Sequence, residues 1–333
     1  MSTPAAKVID DLVRQFPDAP ALTLAKRAYG DHPSLWSNLE ACRSAVRKRF
    51  GVIGKRTRQK TKDKSAFREP RPAGWQSTIP PSLRHYERWG PVQIDGPCKA
   101  LILSDIHVPY HDEAAFRIAV NYGLDREADT VILNGDIMDC FSLSRWEKDP
   151  RKRDFPAEVR AGRQLLGTIR DAFPDARIVY KEGNHEERFS SYLRLKAPEL
   201  LGLPEFTWES VFELDDLNIE WVSDKRPLRI GKLNVIHGHE YRFAISNPVN
   251  PARGYYLRGQ CHCLGGHFHQ HSEHSQKNLE QKVVSTWSTG CLCDMHPDYA
   301  PLNNWSQGFA FVSVSSAGAF SVSNLRIVDG EAY

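Results

Sequence analysis

Residues 98–107 read CKALILSDIH, residues 129–139 read DTVILNGDIMD, and residues 176–186 read ARIVYKEGNHE. Each stretch holds a short apolar run and then breaks abruptly into Asp, Asn, His or Glu beside a serine or a glycine. A run that is apolar at nearly every position, rather than at every second one, suits a strand buried on both faces. The glycines let the chain turn sharply where each strand ends.

Between these stretches lie helical patterns. The spacing predicts strands at Lys99–Ser104, Thr130–Asn134 and Ala176–Lys181, with helices at Glu113–Asp125 and Ala157–Phe173. That β-α-β-α-β order gives an open sheet with helices outside it, an α/β fold. The C-terminal third is richer in strands, expected at Leu228–Ile236, Gln281–Thr286, Phe309–Val314 and Ala319–Ile327.

In open α/β sheets ligands bind at the carboxyl ends of the strands. Five polar clusters fall at such ends: Ser104-Asp105-Ile106-His107, Asn134 to Asp139, Glu182 to Glu186, His237-Gly238-His239, and Gly266-His267-Phe268-His269. One Asp-x-His alone is usually surface. Five clusters in order within one frame are a different matter, because converging carboxylates and imidazoles need compensating positive charge, which divalent metals supply.

The order Asp-x-His, Gly-Asp-x-x-Asp, Gly-Asn-His-Glu, His, Gly-His-x-His resembles the calcineurin-like metallophosphoesterase superfamily, which includes nucleases, cyclic-nucleotide phosphodiesterases and phosphoprotein phosphatases. The likeness covers about residues 98–333, and the stretch LILSDIHVPYHDE is most similar to bacterial and phage members of unassigned substrate. It implies a sandwich of two mixed β-sheets flanked by helices. Carried over residue by residue, it implies that Asp105, His107 and His269 hold one metal, that Asn184, His237 and His267 hold a second, and that Asp136 bridges them. Such mixed donors suit two divalent ions, manganese first, with iron, zinc or nickel also compatible. The pair would bind a shared water and lower its pKa, and the resulting hydroxide would attack phosphorus in line. His185 would protonate the leaving group, oriented by Asp139. His239, His262, His271 and His274 are left to packing or support.

Phosphoprotein phosphatases of this type usually follow the second Asp with Arg-Gly, whereas here Cys140 and Phe141 follow Asp139. That departure turns the reading toward a phosphodiesterase or nuclease, with a phosphomonoesterase as the alternative and an inactive scaffold as a remote third. No ligand position is missing. Arg145, the run Arg151-Lys152-Arg153 and Arg188 are the candidate grips for a substrate phosphate.

The first hundred residues carry 19 basic and 9 acidic residues, a net of +10, while the remainder carries a net of −7. Residues 1–50 read as a small helical unit, with a weak likeness to a helix-turn-helix, and residues 51–97 as a basic Pro/Gly-rich linker. Ten of the 22 residues from 43 to 64 are Lys or Arg. A basic appendage on an acidic body is what a nucleic-acid tether looks like. Seven cysteines with no secretory signal argue for reduced thiols, and Cys261/Cys263 and Cys291/Cys293 for packing rather than a zinc site of C-x2-4-C spacing. No apolar run approaches the ~20 residues that cross a membrane, so the expectation is a cytoplasmic protein with no membrane partner.

Overall fold

In the computed structural model, residues 3–60, 79–82, 89–145, 149–241 and 249–333 are described, with backbone alone at 50–60. Most of the stretch read as linker, including its basic run beyond residue 60, lies outside them. The chain divides into two compact units, residues 1–85 and 86–333.

Among the described residues the first unit holds three α-helices, α1 (Pro4–Gln15), α2 (Ala21–Asp31) and α3 (Leu39–Lys60). Thr3 caps α1 by accepting from the Ala6 N–H, as a β-hydroxyl before a helix does. Ile9, Leu24, Ala25, Ala28, Cys42 and Val46 form its buried core, and Arg49 closes it with an ion pair to Asp10. The arginine-rich α3 runs ten residues past the boundary drawn at residue 50.

In the second unit the strands are β1 (Val92–Ile94), β2 (Cys98–Leu103), β3 (Thr130–Asn134), β4 (Arg177–Lys181), β5 (Ile219–Val222), β6 (Leu228–Ile230), β7 (Leu233–Val235), β8 (Cys263–Gly265), β9 (Ser272–Lys277), β10 (Val283–Ser288), β11 (Gly308–Val314), β12 (Phe320–Val328) and β13 (Glu331–Ala332). The helices are α4 (Glu113–Asp125), α5 (Phe155–Ala172), α6 (Glu187–Lys196), α7 (Trp208–Val211) and α8 (Pro251–Gly259). One sheet has the order β13-β12-β11-β2-β3-β4-β5 and the other β1-β6-β7-β8-β10-β9. Both mix parallel and antiparallel pairs, so the architecture is an α/β sandwich of two mixed sheets flanked by helices.

The unbroken apolar runs now have their reason. In β2, Leu101 and Leu103 face a core shared with α4 and α5, which supply Ala119, Leu165 and Ile169. Ala100 and Ile102 face the other way, against Leu228, Ile230, Leu233, Val235 and Leu264 of the second sheet. A strand sandwiched between a helix layer and another sheet has no solvent face to keep polar. Several elements were not anticipated, among them β5, β8, β9, α6 and α8. The strand expected over Leu228–Ile236 is an antiparallel hairpin of β6 and β7, turned at Gly231 with φ of 55°. β1 lies within the stretch read as linker and pairs in parallel with β6.

Candidate metal centre

β2, β3 and β4 are parallel neighbours, so their carboxyl ends lie side by side and deliver Asp105 and His107, Asp136 and Asp139, and Asn184 and His185. β7 and β8, parallel in the other sheet, deliver His237 and then His267 and His269. The two sheets thus feed one place. Nε2 of His107 and Nε2 of His269 stand 3.1 Å apart, and both face Asp105 Oδ1, at 4.0 and 3.2 Å. Beside them, Asp136 Oδ2 is 3.2 Å from His237 Nε2 and 3.8 Å from His185 Nε2. Ligand atoms of Asp105, His107 and Asp136 fall within 4.8 Å of one another, as do those of Asp136, His237 and His267. Asp136 belongs to both groups.

The backbone holds these side chains in an unusual way. Asp105, His107, Asp136, His267 and His269 all have positive φ, between 52° and 70°. Non-glycine residues rarely adopt that region, at a cost of roughly 1–3 kcal/mol each. Five such residues persist at one place because buried groups pin the loops. Glu186, fully buried, accepts from the main-chain N–H groups of Asp136, Ile137, Met138 and Gly183 and from the Tyr180 hydroxyl. Glu240 accepts from His237 and Gly238 and pairs with the buried Lys181 at 2.8 Å. Asp105 Oδ2 accepts from the His267 N–H, and Asp136 Oδ1 from the His185 N–H at 2.8 Å. Gly183 is confined as well, since a Cβ there would lie 2.3 Å from both Asp136 N and Asp136 Oδ1.

Glu186 and Glu240 were not singled out in the sequence. The signal for Glu186 was its place in Gly-Asn-His-Glu, but a surface glutamate opening a helix would read the same way. Cys293 is a further addition. Its sulfur lies 4.0 Å from His269 Nδ1 and forms a possible ligand group with His107 and His269. Among the described residues no such group includes Cys261 or Cys263, and all seven cysteines are free thiols.

The ring tautomers follow from the acceptors. His237 Nδ1 faces the Asn134 carbonyl at 2.8 Å and donates to it, so Nε2, turned toward Asp136, is the nitrogen that would ligate once it gives up its own proton. His107 Nδ1 lies 3.0 Å from Asp139 Oδ1, which leaves its Nε2 for the centre in the same way. Carboxylate and carbonyl partners of this kind orient imidazole ligands in metal sites. His185 Nδ1 donates to the Asp139 carbonyl oxygen at 2.8 Å, with Asp139 Oδ1 at 3.4 Å. Asp139 therefore serves two imidazoles, His107 through its carboxylate and His185 chiefly through its main chain. Arg188 donates to the same carbonyl and reaches His185 Nε2 at 2.8 Å. Of the histidines left to support, His239 pairs with Glu187 at 2.9 Å, and His262 and His271 bond main-chain groups.

Whether these residues fit metal ions is answered by what they lack. Among the described residues, Asn184 Oδ1 and His267 Nδ1 are buried without a hydrogen-bond partner, and Asp105 Oδ1 and His237 Nε2 make no hydrogen bond beyond the charged contacts at 3.2 Å to His269 and Asp136. Buried polar atoms left unpaired are costly and rare. These four atoms at one centre, all oxygen or imidazole nitrogen, match the donor set of a divalent transition ion.

The charges agree. Burial opposes ionisation of Asp105 and Asp136, yet neighbouring histidines hold both carboxyls well below the usual range. Burial likewise opposes the charge on His237 and His269. The nearby carboxylates of Asp136 and Asp105 for His237, and the Asp105 carboxylate with the Cys291 sulfur for His269, outweigh it and lift each to about 10. His267, buried beside His237, is pushed down to about 3. Without metal, two imidazolium ions therefore balance the carboxylates. A cation must displace those protons, because only the neutral imidazole ligates. Metal uptake between pH 7 and 8 is expected to release about two protons per chain, and affinity to fall as pH falls. Titration calorimetry in buffers of different ionisation enthalpy counts those protons, and uptake without proton release would contradict the assignment of His237 and His269.

Two hollows flank the centre. One, of about 540 Å³, includes Asn184 and Arg188 and is edged by Arg145, Arg153 and Lys196 against Glu187. The other, of about 280 Å³, includes His107 and Asp139 and is walled by aromatic rings.

No family model matches the chain. It is 25% identical over 228 residues to the Gene 54 proteins of Mycobacterium phages L5 and D29, covering 65% of this chain and 89% of each of theirs. Among solved structures, Vacuolar Protein Sorting 29 from Cryptosporidium parvum aligns over 72% of this chain and 96% of that one, at 14% identity and a TM-score of 0.39. YfcE, a phosphoesterase from E. coli, aligns over 68% and 98%, at 12% identity and a TM-score of 0.31.

Proposed function

We propose that this chain is a dinuclear-metal phosphoesterase that hydrolyses a phosphodiester of a nucleic acid or nucleotide. The observation that carries the reading is Asp136, shared by two groups of converging ligand atoms at the ends of parallel strands. Asp105, His107 and His269 would hold one ion, Asn184, His237 and His267 the other, with Asp136 between them; manganese is the first candidate. Bound there, the ions would supply Lewis acidity and lower the pKa of a water.

The chain's own residues do the rest. Asp139 fixes the His107 ring. The main chain of Asp139 fixes His185 with Nε2 turned toward Asp136 and Arg188. Once Arg188 moves from the imidazole to a phosphoryl oxygen, His185 Nε2 is free to take up a proton from water and pass it to the departing oxygen, with Nδ1 still held by the Asp139 carbonyl. Arg188 is suited to the exchange because its guanidinium offers several donors in one plane.

The preference for a diester of nucleic acid is supported by the basic groove. Four cations edge it against one glutamate, so it suits a substrate with further phosphates beyond the scissile one. The net charge of +10 in the first hundred residues adds to the argument; of residues 1–97, proposed from the sequence as a tether, those before the second unit, 1–85, are the part put to the test. A chain beginning at residue 86 keeps β1 and every candidate ligand. It is expected to hydrolyse bis(p-nitrophenyl) phosphate at nearly the full-length rate. It is also expected to bind single- or double-stranded DNA or RNA about tenfold more weakly at low salt, with a shallower salt dependence. Equal, poor binding by both proteins would remove the tether and favour a small-molecule phosphatase.

A further inference from the structure

The hollow on the His107 side differs in character from the basic groove. Tyr110 and Phe141 form one aromatic pair, with ring centroids 6.2 Å apart, and Tyr299 and Trp305 form another at the same separation. All four line the same cavity of about 280 Å³, together with His107 and Asp139 of the candidate metal centre. Trp305 rests edge-on against the His269 ring at 4.2 Å, so the cleft is fixed in place by a candidate ligand. Tyr110 and Tyr299 are 42% and 69% exposed. Large rings left open to water beside a reaction centre suggest a partner with a flat apolar face.

Charge decides what that partner is. Asp139, Asp294 and Asp298 border the cleft, and Lys152, the one lysine lining it among the described residues, is already paired with Asp298. A second phosphate is repelled there, whereas the groove on the other side of the centre is rich in cations. A neutral ring in the cleft and an anion in the groove is the order of a nucleotide strand, whose base sits one sugar away from the phosphate. Base–aromatic stacking is sequence-tolerant, because every base has a π-face.

We infer that the Tyr110–Phe141 and Tyr299–Trp305 cleft is a nucleobase subsite, holding the base next to the scissile phosphate while the strand continues into the basic groove. This rests on the phosphodiesterase reading above and adds a direction and a point of recognition to it.

The test uses the full chain loaded with manganese and a set of oligonucleotides in which one abasic residue is walked along the strand. Cleavage at a given phosphate is expected to fall about tenfold in kcat/KM when the abasic residue flanks it on one side, and little when it lies elsewhere. In Tyr299→Ala the ratio of intact to abasic rates is expected to shrink toward one, and Tyr299→Phe, which keeps the ring, to retain it. Cleavage that is indifferent to the abasic position overturns the subsite and leaves the phosphodiesterase reading standing. If bis(p-nitrophenyl) phosphate is hydrolysed while no oligonucleotide is cut, the nucleic-acid reading fails and the subsite with it.

Discussion

Asp136→Asn is expected to lower turnover of bis(p-nitrophenyl) phosphate by more than ~100-fold and to deplete both metal ions together. Altering an outer-shell partner of a metal ligand already costs roughly 10–100-fold. Asp136 stands in both ligand groups, so its loss reaches both. The substitution is also mild for the fold. The asparagine oxygen can keep the bond that Asp136 Oδ1 accepts from the His185 N–H, and its amide can face His237 Nε2, which lies 3.2 Å from Asp136 Oδ2. Metal content by mass spectrometry and urea unfolding of the metal-free protein separate the outcomes. Lost metal and lost turnover in a variant that still unfolds cooperatively are expected. A variant that keeps two ions and full turnover would remove Asp136 from the centre.

His185→Ala is expected to slow hydrolysis of an alkyl phosphodiester by about 100- to 1000-fold, and that of an aryl ester such as the p-nitrophenyl compound far less. General acid catalysis contributes roughly 10²–10⁴-fold where the leaving oxygen needs a proton. An alkoxide needs one, whereas p-nitrophenolate leaves without it. The geometry ties this prediction to a second residue. Asp139 bonds His107 through its carboxylate and His185 mainly through its carbonyl, so Asp139→Asn should weaken metal binding without reproducing the leaving-group pattern of His185→Ala. Equal losses on both ester types in His185→Ala would mean that the histidine supports the site rather than delivering a proton.

Much of the site could be read from the chain because ligand-bearing loops follow strands, and strands buried on both faces announce themselves. Thr130–Asn134 and Glu113–Asp125 occur as expected from their apolar spacing. The hairpin at 228–235 did not announce itself, since Leu228–Ile230 and Leu233–Val235 share one apolar pattern across a turn whose reversal depends on the backbone at Gly231. β8 is only three residues long, too short for any period to show.

By itself the sequence determined the β-α-β-α-β succession of β2, α4, β3, α5 and β4, the five polar clusters, and the charge contrast between the first hundred residues and the rest. Those features are local, and spacing and composition express them. The tertiary structure decided the rest. It brought His237, His267 and His269 from one sheet against Asp105, His107 and Asp136 from the other, and it forced five of those residues to positive φ. It turned Glu186 from a helix-opening glutamate into the buried acceptor of five hydrogen bonds. It assembled an aromatic cleft from Tyr110, Phe141, Tyr299 and Trp305, which lie up to 195 positions apart. No local pattern carries that information, because a side chain's partners across a sandwich are set by which sheets pack together and in what register.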